Sequence, residues 1–175
     1  MIGSGAGLLA LALLLGIGGG FTWGALRPAY VGEVSDNGAV IDQAASPANV
    51  QFTAFAWFVI LTALLGLIIG AAAWRVAGRG RSRGGVWWMV WVMVAAALGA
   101  VAVNLFGDWF ALRLTPVPDH DALAQGSEFS LVPPIEPGAA WAAASLAAGL
   151  VYWVANLVAY TRERDETVEV ATLSA

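Results

Sequence analysis

The sequence predicts an all-α membrane protein. Its four transmembrane helices place both termini in the cytoplasm, and a small β-hairpin with its loops caps the outer face. Three observations predict this. First, 59% of the 175 residues are hydrophobic and 11% are charged, with mean hydropathy +0.75. Soluble domains carry about 25% charged residues, and a water-soluble fold of this size cannot hide so much apolar surface. Second, four windows near the roughly 20 residues a membrane crossing needs contain no charge: 2–26, 52–74, 86–107 and 138–160. Third, Arg75, Arg79, Arg81 and Arg83 crowd into the connection 75–85. The positive-inside rule makes that connection cytoplasmic.

The first window lacks the basic start and short apolar run of a secretory signal, so it reads as a retained helix. The outer connection 27–51 carries a net charge of −2. Within it "YVGEVSDNGAVIDQ", Tyr30 to Gln43, reads as a hairpin. Asn37-Gly38 supplies the two positive-φ positions of a type I′ turn. A lone hairpin is marginal, so it is expected to lean on the second outer connection.

The second window, 52–74, leads into "WRVAGRGRSRGGVWWMVW". Arg-Gly tracts that bind nucleic acid are long and disordered; this one is short and pinned between two helices. Anionic lipid headgroups are the expected partner, at about 1 kcal/mol per arginine. Trp74, Trp87, Trp88 and Trp91 then fall at headgroup level.

After the third window, 86–107, comes the outer connection 108–137, with a net charge of −4. "GDWFALRL" reads as a short interfacial helix, and "SEFSLV" as a candidate extra strand. Pro116, Pro118, Pro133, Pro134 and Pro137 keep the remainder irregular and stiff. The fourth window, 138–160, is followed by the charged tail 161–175, which reads as disordered or as a cytoplasmic interaction tail.

Lipid gives helices no hydrophobic reason to associate, and small residues that let backbones approach closely supply one. Gly16, Gly20 and Gly24 line one face of the first helix; Gly66 and Gly70 repeat the spacing in the second. Ala95 with Gly99 does so in the third, and Ser145 with Gly149 in the fourth. These seams serve either internal packing or contact with another protein. Asn104 and Asn156 are the amides inside the windows. Each is expected to bond a neighbouring helix, with a substrate site as the sharper alternative.

Signs of chemistry are sparse. No window holds Asp, Glu, His, Lys or Arg, so no proton or ion path is marked. There is no cysteine and a single histidine, and no Walker loop, GxSxG or HExxH. "DHD", Asp119–Asp121, has ligand character, but adjacent residues seldom converge on one ion; it reads as a solvated acidic tip, with a metal site as the sharper alternative. Asp119, Asp121 and Glu128 are candidate docking groups for a basic partner surface. No catalytic, cofactor or metal residue is assigned, and no nucleic-acid partner is expected.

The stretches "GGGFTWGALRPAY", "GAVIDQ", "FAWFVILTALLGLIIGAAAWR" and "PGAAWAAASLAAGLVYWVANL" together resemble a family of small four-helix actinobacterial membrane proteins with no assigned activity. The resemblance covers about residues 2–162. By analogy it implies a non-enzymatic accessory subunit of a bacterial plasma-membrane complex, such as the respiratory supercomplex. Other membrane subunits and anionic lipids would then be its partners. A small carrier or lipid-handling protein of the cell envelope is the alternative.

Overall fold

The computed structural model describes residues 2–35, 38–77, 85–116 and 125–173. Four helices are long and apolar enough to cross a membrane: α1 (Ile2–Leu26), α2 (Val50–Ala77), α3 (Val86–Leu114) and α4 (Ala142–Leu173). Three short strands, β1 (Tyr30–Ser35), β2 (Gly38–Asp42) and β3 (Glu128–Leu131), form an antiparallel sheet in the order β2-β1-β3. The sheet stands at one end of the bundle. The arginine-rich connection leaves from the other.

Local chemistry sets the helix ends. α1 stops at Arg27-Pro28, because the residue before a proline is pushed out of the α region. α2 starts from Asn49 in the left-handed conformation (φ 56°), which asparagine tolerates better than most residues. Thr53 N donates to the Asn49 carbonyl at 2.9 Å.

Two helices outrun the sequence reading. The predicted interfacial helix after residue 107 is a continuation of α3, which ends at Leu114, just before Thr115-Pro116. The charge at Asp108 does not break it, because Arg27 neutralises that charge (below). α4 likewise continues through the charged segment to Leu173, where a disordered tail was one expectation. No glycine or proline follows Gly149 to interrupt it. Extending a formed helix costs far less than nucleating one.

The tight pairings join α1 with α3 and α2 with α4, and within each pair the helices run parallel. Glycines sit where the backbones touch. A Cβ on Gly16 would collide with the Gly99 carbonyl oxygen, and one on Gly66 with that of Ala144. A Cβ on Gly24 would lie 2.7 Å from the Gly107 oxygen, and one on Gly70 2.7 Å from the Ala148 oxygen. A Cβ on Gly20 would lie 2.9 Å from the Val103 oxygen, and one on Gly99 2.9 Å from the Ala12 oxygen. Each glycine thus turns its Cα hydrogens toward a carbonyl of the facing helix, a weak contact that recurs at close helix pairs. Gly149 packs on Met93, whose carbonyl accepts the Ser145 hydroxyl at 3.0 Å and so ties α4 to α3. Ala95 is fully buried.

α4 begins deep. Trp141, in the 3-10 turn Gly138–Trp141 that precedes α4, sets its ring edge against Phe58, 5.8 Å away, and Ala144 meets Gly66. Phe58 lies about 12 Å along α2 from its start. The extended chain 132–137 covers the bundle beyond that point, with Pro133 buried and Ile135 packed against the core. Prolines suit this place because they bring no N–H that would need an acceptor there.

In the sheet, Ser35 pairs with Gly38. Gly38 is therefore a strand residue and not a central turn position, so Ser35, expected to face Val40, faces Gly38, and the pairing is shifted by two residues; positions 36 and 37 lie outside the described residues. Ser46 accounts for the register. Its hydroxyl accepts from Val31 N at 3.0 Å and donates to the Asp42 carbonyl at 2.6 Å, clamping the Val31–Asp42 pair. β3 adds the anticipated third strand, and Phe129 covers the bare backbone of Gly32 opposite it.

Gly66→Ala is expected to lower stability by about 1–3 kcal/mol, the cost of overpacking a tight contact. Gly18→Ala, whose Cβ would meet open space, is expected to be neutral or slightly stabilising. Thermal unfolding of both variants in the same detergent checks the contrast.

Candidate functional site

The densest polar constellation lies at the sheet end and is built around Arg27. Its side chain is 3% exposed, a rare state for arginine. One guanidinium nitrogen donates to the Asp108 carboxylate on α3, and the other to the Pro133 carbonyl of the extended chain. The guanidinium also sits 4.6 Å from the Trp23 ring centroid, in cation–π contact. Trp23 is fully buried, and its indole N–H donates to the Ala54 carbonyl on α2 at 2.8 Å. Trp23 stacks edge-on with Phe58 at 5.1 Å, which in turn meets Trp141. One arginine and one tryptophan thus bind α1, α2, α3 and the approach to α4.

Sequence reasoning counted Arg27 and Asp108 as loop charges of the outer face. The available signal was that each directly flanks a charge-free window, at the same end and with opposite sign. Chemically the pair is a neutral lock. It holds no nucleophile, and both charges are spent on each other.

The predicted groups are dispersed. Asp119, His120 and Asp121 lie outside the described residues, as do Arg79, Arg81 and Arg83. Glu128 lies on β3 directly opposite Glu33. Among the described residues, no three His, Cys, Asp or Glu side chains converge on a point that could hold a metal. Arg75 occupies the last turn of α2.

The seam glycines Gly16, Gly20, Gly24, Gly66, Gly70, Gly99 and Gly149 are all turned inward, onto other helices of the same chain. Neither amide bonds across to a neighbouring helix through its nitrogen. Asn156 Nδ2 donates to the Tyr152 carbonyl one turn back, at 2.7 Å, and Asn104 Nδ2 is buried with no acceptor. Of the tryptophans at the arginine-loop end, Trp87 is open (87% exposed). Trp91 donates to the Gly5 carbonyl at 3.3 Å, and Trp74 meets Tyr152 edge-on at 6.4 Å. These two anchor the bundle as well as its surface.

One surface was not singled out from the sequence. Gly3, Gly7, Ala10, Leu14, Gly18 and Phe21 recur at three- and four-residue spacing along the outward face of α1. A Cβ on Gly3, Gly7 or Gly18 would meet nothing within 4 Å. This face is therefore separate from the Gly16–Gly20–Gly24 seam, which is already occupied by α3. The chain matches no protein-family model, no curated protein and no solved structure.

The lock has a lopsided mutational signature. Asp108 is 42% exposed and can turn to solvent when its partner is removed, whereas Arg27 cannot. Asp108→Ala is expected to cost about 3 kcal/mol, the lower end for an uncompensated buried charge, since Pro133 and Trp23 still hold the guanidinium. Arg27→Met keeps the packing volume and is expected to cost less. Denaturant titration of both variants measures the difference.

Proposed function

We propose that this chain is a non-enzymatic accessory subunit of a larger bacterial plasma-membrane complex, docked through the outward face of α1. The respiratory supercomplex is the preferred host, on analogy with small actinobacterial membrane subunits. The observation that carries the reading is the open stripe of Gly3, Gly7, Ala10 and Gly18. A helix surrounded by lipid gains nothing from glycine, which costs about 1 kcal/mol in helix propensity. Small residues repay that cost only where a second backbone approaches closely. The glycines facing inward have such a neighbour within the chain; those facing outward need one from another chain.

The composition of the two ends supports an orientation. The arginine-loop end holds six arginines against four acids, and the sheet end two arginines against eight acids. We propose that the arginine-loop end is cytoplasmic, with both termini, and that the sheet is extracytoplasmic. The pairing of the buried Arg27 guanidinium with Asp108 supports a structural role over transport, because a carrier needs a polar group free to exchange partners. The alternative, a lipid-handling protein, draws on one observation, a cleft beside Asn156 treated below.

Replacing Gly7 and Gly18 together by leucine is expected to leave the thermal midpoint of the isolated protein unchanged or raised. Co-purification of membrane partners in mild detergent should be abolished. Full retention of partners would remove α1 as the docking face. Topology is tested separately. The chain has no cysteine, so Gly80→Cys should label only from the cytoplasmic side and Ala45→Cys only from outside. The opposite pattern would reverse the orientation.

A further inference from the structure

At the arginine-loop end, a cleft of about 210 Å³ opens between the first turn of α3 and α4. It is lined by Gly85, Val86, Met89, Tyr152, Trp153 and Asn156. We propose that this cleft binds the phosphate–glycerol region of an anionic phospholipid. The proposal rests on the membrane-spanning helices and not on the accessory role.

The cleft has the two-sided chemistry such a ligand needs. Its apolar side is made by Val86, Met89 and Trp153. Val86 is 72% exposed and Trp153 55%, so this side opens outward from the bundle and not into its core. The volume is about that of seven waters at ~30 Å³ each, enough for a headgroup phosphate and glycerol with the acyl chains running out along the helices.

The polar side comes from Asn156 and from the backbone at Gly85. The Asn156 amide is committed to Tyr152, donating to its carbonyl at 2.7 Å and bonding its side chain, which fixes the group and leaves the amide oxygen as an acceptor for a glycerol hydroxyl. Gly85 caps α3 without any side-chain bond, and a Cβ there would meet open space. The leading N–H groups of a helix lack intrahelical acceptors and favour an anion.

Charge decides the class of lipid. By sequence this end carries six arginines against four acids, a net charge of +2. Among them are Arg75 in the last turn of α2, and Arg162 and Arg164 two turns beyond Asn156 on α4. Trp87 and Trp153 stand exposed beside the cleft, at the level where indoles meet headgroups. A zwitterionic lipid would satisfy the apolar wall but would carry no net charge for this field.

The test is native mass spectrometry of the full chain in mild detergent. Phosphatidylglycerol or phosphatidylcholine with identical acyl chains is titrated in. The parent should retain one phosphatidylglycerol with about fivefold preference, the ratio that one arginine interaction at a bilayer surface supplies. Gly85→Asp places a carboxylate where the phosphate would sit while improving the helix cap, so the fold should survive and the preference should vanish. Asn156→Leu removes a polar wall without changing charge and should also abolish it. Gly85→Ser, a neutral cap, should keep it. Equal retention of the two lipids by the parent overturns the proposal. So does a preference that survives Asn156→Leu, which would reduce the effect to the surface charge of the arginines.

Discussion

Gly16 and Gly66 lie where two helix backbones come into contact, and the remaining architecture is arranged around those contacts. In a lipid surround, apolar side chains gain nothing by leaving the solvent for each other, so association has to come from close packing and polar contacts. Parallel pairing of α1 with α3, and of α2 with α4, lets glycine Cα hydrogens approach facing carbonyls at several successive turns. A single methyl group at these points would force the two backbones apart where they touch.

The close α1–α3 pairing has a consequence at the sheet end. It brings the C-terminal ends of the two helices together, so Arg27 reaches Asp108 and the buried guanidinium gains a counter-charge. The pair then recruits the Pro133 carbonyl, which draws the extended chain down over the bundle. That chain replaces the missing first turns of α4. Trp23 completes the arrangement by bonding α2 through its indole and by holding the guanidinium over its ring. The Arg27–Trp23 cluster thus lies at the sheet end, while the cleft between α3 and α4 lies at the opposite end.

The two ends differ in character as well as in charge. The sheet end is closed by aromatic packing and by a three-stranded cap whose register Ser46 fixes. At the arginine-loop end, α4 runs on past the last residue of α2 and the first of α3. The accessible surfaces lie on the flank of α1 and beside Asn156. Those surfaces can receive another chain or a lipid without disturbing the lock.

The number of helices, their approximate limits and the hairpin with its extra strand were legible in the sequence, because each depends on local pattern. Charge-free windows, valines on either side of a turn and the turn residues themselves act over a few neighbours. The lengths of α3 and α4 were not legible. Asp108 looked like a stop signal until a partner 81 residues earlier in the chain neutralised it, and the charged tail became helical by continuing a helix already formed. The hairpin register depended in the same way on Ser46, outside the hairpin itself. Spacing showed that Gly16, Gly20 and Gly24 share a face, but not what that face meets. Only the tertiary structure decided that these glycines are occupied within the chain and that Gly3, Gly7 and Gly18 are not. The physical reason is that periodicity defines a stripe on one helix, whereas occupancy of the stripe depends on where every other helix packs.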